Sequence, residues 1–225
     1  MKTIIMFLLA IIGCVLLPKG WPLMNLQMRS VSAQSGSDIP QLIGQLNPKI
    51  VDGVIKGPRG EVQTQVKQKL LILAQESPEL RDKVIHALID VLEDLSRHKK
   101  FTGYSAVWFC ASDLLGELAA VEALDILVRH LDYNPGHTTL SLSMWPTVRA
   151  VIKIGEPAIP KLEEALFKAE SSFTYRSNAA KALGMIGGNR AKEILERASS
   201  TETNEYVLRE IANSLSYILR KTSEK

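Results

Sequence analysis

Cysteine is nearly absent: Cys14 and Cys110 are the only two in 225 residues. Cys14 falls in an N-terminal leader, so the body carries one thiol, no internal disulfide and no Cys-x-x-Cys pair. Cys110 lies in the apolar run Ala106-Val107-Trp108-Phe109-Cys110-Ala111. A nucleophilic cysteine needs a positive, partly exposed setting, so an inert core thiol is expected. Histidine is scarce as well. His86, His98, His130 and His137 sit in different contexts, and no two have the spacing that puts metal ligands on one helix face. At the position of His130 a related segment has Leu166, which predicts a packed or rim histidine. Gly-x-Ser-x-Gly, His-Glu-x-x-His and Gly-x-x-x-x-Gly-Lys-Ser/Thr are all missing, removing the common hydrolase, metalloprotease and nucleotide-binding signatures. The acidic group Asp90, Glu93 and Asp94 reads as a solvated helix face.

A charge excess is also lacking. The formal charge of +3 belongs to the first 33 residues, which hold Lys2, Lys19 and Arg29 and no Asp or Glu. The remainder balances, so neither nucleic acid nor acidic lipid is an expected partner. The apolar run Ile4 to Leu17 is shorter than the roughly 20 residues that span a bilayer as a helix. With Val31-Ser32-Ala33 offering a small-residue cleavage site before Gln34, residues 1–33 read as an export signal. Three fates stay open: cleavage after Ala33, retention as an anchor, or lipidation at Cys14, because Ile11-Ile12-Gly13-Cys14 resembles a bacterial lipobox. The expected location is a bacterial periplasm or envelope.

What the chain does have is repetition. Thr147 to Gly155, Ala179 to Gly187 and Ile211 to Leu219 align at a step of 32 residues. Val148, Ala180 and Ala212 then superpose, as do Val151, Leu183 and Leu215, and Ile154, Ile186 and Ile218. A fixed period in this range marks stacked helical units, none able to bury its apolar face alone. A looser copy, Leu115-Gly116-Glu117-Leu118-Ala119, precedes the first by 36 residues, and the surplus falls in the polar loop 132–143. Apolar spacing predicts helices over 61–75, from Pro78 onward with Ser77 as N-cap, over 104–119, 121–131 and 147–154, and in the segments that follow Gly155 and Gly187. A last helix over 205–220 has no partner, and Arg209, Asn213, Ser216 and Arg220 would make it a polar cap. The expected organisation is a leader over 1–33, a linker over 34–60 with a short helix at Ile39 to Leu46 or a tether, repeats over 61–220, and a polar tail over 221–225.

Gly155-x-x-Ala158-x-Pro160-x-Leu162 and Ala179-Ala180-x-Ala182-Leu183-Gly184-x-Ile186-Gly187 resemble HEAT repeats, in particular the short variety also found in phycobilin lyases. The resemblance is closest over 147–219 and fades through 104–131 to 61–95. Thr147 and Ser214 depart from the alanines of the middle copy, and Leu219 stands where glycine would. The resemblance implies an all-α fold, a right-handed α–α superhelix of about four helical pairs plus a C-terminal capping helix. It carries no catalytic residue and no cofactor.

An array of this kind offers an extended surface lined by the second helix of each pair. Arg81, Asp125, Arg129, Lys161, Glu164, Lys168, Glu193 and Arg197 would present mixed charge there, which suits recognition of a protein or peptide. Phe101 and Tyr104 are candidate aromatic anchors, with Trp108 assigned to the core. Tyr133 and Trp145 flank the 132–143 loop, and His137 lies in it; that loop is either a binding element or a long connector. The expected function is a non-catalytic extracytoplasmic adaptor. The alternatives are a bilin lyase-like or chaperone-like accessory protein, suggested by the resemblance, and a membrane-anchored spacer.

Overall fold

The computed structural model describes residues 38–46, 49–51, 54–56, 60–97, 105–133 and 145–223, all within one compact unit, Gln34–Lys225. The leader with Cys14, and the expected anchors Phe101, Tyr104 and His137, lie outside the described residues. Among those residues no helix is long and apolar enough to cross a membrane.

The first element is a short helix, α1 (Asp38–Gly44), which buries Ile39, Leu42 and Ile43 against the two helices that follow. Two three-residue strands come next, β1 (Lys49–Val51) and β2 (Val54–Lys56), paired antiparallel with Ile50 opposite Ile55. α1 falls where the short helix is expected, at Ile39 to Leu46, and the strand pair is an element that the expected linker did not include. Asp52-Gly53 between two β-branched runs is a strong short-range hairpin signal and was the one to weigh.

The remaining elements are helices that alternate as first and second members of a stack. The first members are α2 (Gly60–Glu76), α4 (Ser105–Glu117), α6 (Pro146–Ile154), α8 (Phe173–Ile186) and α10 (Glu205–Ser223). The second members are α3 (Pro78–Arg97), α5 (Leu124–Arg129), α7 (Ile159–Leu166) and α9 (Gly188–Thr201). Ser77 caps α3 as expected, its Oγ accepting from the Leu80 amide at 3.2 Å. Before α5 and α7 the chain makes single 3-10 turns, Val121–Ala123 and Glu156–Ala158, so the helix expected over 121–131 is shorter than its apolar pattern. The 32-residue register holds in the core: Val148 and Ala180 are fully buried, as are Val151 and Leu183. Each buried Val or Leu of this kind contributes about 1.5–3 kcal/mol. Ala212, the third of its set, is exposed, with no further first-member helix packed on α10 among the described residues.

Left-handed backbone marks the breaks between paired helices. Gly155 (φ 82°) and Gly187 (φ 78°) end α6 and α8, and their amides reach back to the carbonyls of Val151 and Leu183. Ala119, at the corresponding position after α4, adopts φ 47° without being glycine, a conformation that costs a Cβ-bearing residue about 1–2 kcal/mol. Leu219 occupies this position in the last copy. With no residue there suited to the left-handed turn, α10 continues unbroken to Ser223, past the expected end at Arg220.

Two small residues set how closely the first-member helices approach. A Cβ on Gly116 of α4 would lie 2.8 Å from the Ala150 Cα of α6, and one on Gly184 of α8 would lie 2.5 Å from the Ser214 Cβ of α10. In the repeat register Gly116 and Gly184 are one position, and Ala150 and Ser214 are another. The intervening copy has Ile152 and Ala182 at those positions, and α6 meets α8 over less of its length than α4 meets α6 or α8 meets α10. Ser214 also explains its own departure from alanine: buried beside Gly184, its hydroxyl donates to the Ala180 carbonyl at 3.0 Å.

Candidate interaction surface

The side chains expected to face a partner are first of all tied to one another. On the second-member helices, Arg129 of α5 donates to both Glu93 oxygens of α3 at 3.1 Å. Lys161 of α7 pairs with Asp125 of α5, and Arg197 of α9 with Glu163 of α7 at 2.5 Å. Arg81 donates to the Leu118 carbonyl at 2.8 Å. The three ion pairs each link a second-member helix to its neighbour in the next repeat, and exposed pairs of this kind contribute little each, roughly 0–1 kcal/mol.

The first-member helices carry a denser cluster. Asp113 of α4 accepts from Lys67 of α2, from Arg149 of α6 at 3.1 Å and from Lys153 of α6 at 2.5 Å. Glu117 joins it, 2.6 Å from Lys67 and 3.3 Å from Lys153. Burial works against the Asp113 charge, yet the hydrogen bonds from Lys153 and Lys67 hold its carboxyl below the usual range. The same balance between burial and its bonds to Asp113 and Glu117 raises Lys67. Lys181 of α8 pairs with Glu210 of α10 at 3.4 Å, where burial nonetheless raises the glutamate.

Asp125, Val128 and Arg129 of α5, Lys161 and Glu164 of α7, and Tyr175 of α8 line an open groove of about 360 Å³, with Lys168 at its edge. Val128 and Ala165 give it an apolar floor. Asp125, Arg129 and Lys161 are already paired. Among the described residues the side chains of Glu164 and Lys168 and the Tyr175 phenol make no hydrogen bond or ion pair, although the Lys168 main chain donates to the Ala165 carbonyl and accepts from the Ser171 amide. Burial raises the Tyr175 pKa, and the nearby carboxylates of Asp132 and Glu164 add to it. The groove thus brings together five of the charged residues singled out by sequence, Asp125, Arg129, Lys161, Glu164 and Lys168. Arg197 lies elsewhere, its guanidinium 5.3 Å from the centre of the Phe167 ring.

The aromatic expectations divide. Trp108 is fully buried, as its helical spacing predicts. Tyr133 stacks on it with centroids 4.6 Å apart, and His130 meets it edge-on at 5.1 Å. Burial, with Arg129 alongside, lowers the His130 pKa, and burial pushes Tyr133 up to about 12. Trp145 is only 5% exposed. Trp145 is therefore a core residue, which corrects its expected place at a partner surface, and Tyr133 turns its ring into the same core. A large ring before Pro146 at the start of α6 gains more by burial than by exposure. The exposed rings are others: Phe167, Phe173 and Tyr206. Phe173 and Tyr206 touch at 5.3 Å, and Arg209 lies 5.7 Å over Tyr206. Their position at the loop-side starts of α8 and α10 follows only from knowing where each helix begins.

Cys110 is 6% exposed, and burial pushes its thiol up to about 11. The native protein is expected to react with a maleimide or a disulfide reagent at pH 7.5 at least about a hundredfold more slowly than the denatured chain, since the thiolate is the reactive form. Equal rates in the two states would show the thiol to be open to reagent. Among the described residues no group of three or more His, Cys, Asp and Glu is arranged to hold a metal ion.

Comparison with protein families matches residues 146–216 to HEAT repeats. That span runs from the start of α6 into α10, and this part of the chain is built of HEAT repeats. No curated protein matches the chain.

Proposed function

We propose that the protein is a non-catalytic HEAT-repeat adaptor that works outside the cytoplasm and holds a protein or peptide in the groove between α5, α7 and α8. HEAT arrays serve as protein-interaction scaffolds, and a stack of rigid units with an open polar groove fits that role. One observation carries the reading. Beside the paired Arg129 and Lys161, the side chains of Glu164, Lys168 and Tyr175 line one groove with no side-chain hydrogen bond or ion pair among the described residues. An extended segment laid there would meet an anion, a cation and a phenol over an apolar floor, which gives polar specificity without a catalytic group. The leader over 1–33 supports export, with its final state, cleaved, lipidated at Cys14 or retained, as part of the same proposal.

The test is affinity capture from the native envelope with the wild-type chain and with a Glu164→Lys/Lys168→Glu/Tyr175→Ala variant. A specific protein recovered by the wild type is expected to fall about tenfold or more with the variant, as for loss of an interface hot spot. Recovery of the same proteins by both, or of none by the wild type, would overturn the assignment.

A further inference from the structure

We propose that the array from α4 to α10 bends at one joint, between α6 and α8, and that what fills the groove at that joint sets the angle. On either side the first-member helices are locked together. Gly116 lets α4 close on Ala150 of α6, and Gly184 lets α8 close on Ser214 of α10. On the first-member helices the ion pairs follow the same division: Arg149 and Lys153 of α6 turn back to Asp113 and Glu117 of α4, whereas Lys181 of α8 turns forward to Glu210 of α10. The pair that crosses the joint, Arg197 of α9 with Glu163 of α7, lies on the exposed second-member helices. No ion pair joins α6 to α8 among the described residues. Ile152, in the register of the two glycines, stands in their place and holds the helices apart.

A cleft of about 400 Å³ opens between the turn after α6 and the turn after α8, lined by Glu156, Pro157 and Ile159 on one side and Gly187, Asn189 and Arg190 on the other. The opposite edge is stitched. Asn178 of α8 donates to the Leu131 carbonyl at 2.8 Å, Ser172 donates to Asp132 at 2.9 Å, and α7 packs closely on α8. A joint fastened along one edge and open along the other hinges about the fastened edge, and packed blocks move as units about such a line.

The groove crosses this joint, because α5 and α7 belong to one block and Tyr175 to the other. An occupant touching both fixes their angle, with the coupling set by its differential affinity for the bent and straight forms. That coupling rests on the adaptor reading, whereas the hinge itself does not.

The test compares nitroxide pairs at equivalent exposed positions in a full-length Cys14→Ser/Cys110→Ala background, without any ligand. Val121→Cys with Pro157→Cys reports within one block, and Pro157→Cys with Asn189→Cys reports across the joint. Pulsed electron–electron resonance is expected to give a distance distribution about twice as broad across the joint as within the block. Ile152→Ala, which lets α6 approach α8 and is the better helix former, is expected to narrow the broad distribution toward the other. Equal widths in the two pairs overturn the hinge, and a broad distribution unchanged by Ile152→Ala overturns the role given to Ile152. Because no ligand is present, either failure leaves the adaptor proposal to its own capture experiment.

Discussion

Arg176→Ala is expected to destabilise the C-terminal repeats by about 3–5 kcal/mol, the range for removing one partner of a buried ion pair. Arg176 is 8% exposed, and its guanidinium uses its donor fork on three residues in two segments. Nε and Nη2 donate to the two Glu202 oxygens at 2.8 and 3.2 Å, and Nη1 donates to the Ala169 and Ser171 carbonyls. Glu202 in turn accepts from the amides of Thr203 and Asn204 at 3.0 and 2.8 Å. One side chain therefore closes the loop before α8 and, through Glu202, the turn before α10. Thermal melting by circular dichroism should show the low-temperature part of the transition shifted by roughly 10 °C, with proteolysis appearing within 167–172. Arg176→Lys, which keeps charge but not the fork, should fall between the two. A melt of Arg176→Ala within a degree of wild type would show that the clamp contributes nothing.

The same clamp fixes a pH dependence. Burial opposes the Glu202 charge, but the bonds from Arg176 and from the two amides outweigh it and hold its pKa below the usual glutamate value. Its contribution is therefore complete above the unfolded-state pKa of about 4.3 and is lost as pH falls through the lower folded value. In Arg176→Ala the acid limb of the stability curve should be shallower.

Gly184→Ala is the second large expected effect, a net loss of about 1–3 kcal/mol even though alanine is the better helix former by about 1 kcal/mol. The added Cβ would lie 2.8 Å from the Ser214 Cα as well as 2.5 Å from its Cβ, so α10 itself must move. Ser214→Gly should recover much of that loss, giving a coupling of about 1 kcal/mol or more in a double-mutant cycle measured by urea unfolding. Gly60→Ala is the control, because nothing lies within 4 Å of a Cβ there. A neutral or stabilising Gly184→Ala would mean that α8 and α10 are not in close contact.

The stack was legible where side-chain volume repeats. Val148 and Ala180, or Val151 and Leu183, mark the buried stripe directly, and Gly155 and Gly187 mark its breaks. Ala119 was legible only through its alignment with Gly155, since alanine does not announce a left-handed turn. The strand pair of 49–51 and 54–56 is hard to read from sequence, because β-branched residues in a short polar segment look like linker when helices dominate the rest. Trp145 and Tyr133 were placed outside because aromatics beside a loop suggest contact, whereas burial of the ring decided their position. The groove was half legible. Arg129, Lys161 and Glu164 belong to second-member helices at predictable intervals, but their pairing depends on rotamers and on which neighbour is nearer. Arg176 was missed altogether, because a lone arginine in a helix gives no sign that two loops will fold over it.

Leu219 carries a consequence for construction. At the position where Gly155 and Gly187 end α6 and α8, Leu219 lets α10 run on to Ser223, so this position is a natural splice point. Glycine at 219, followed by the segment that succeeds Gly187, supplies the missing instruction. The polar rim of Arg209, Asn213 and Ser216 would then need to become apolar, which makes the length of the protein a quantity that a few residues set.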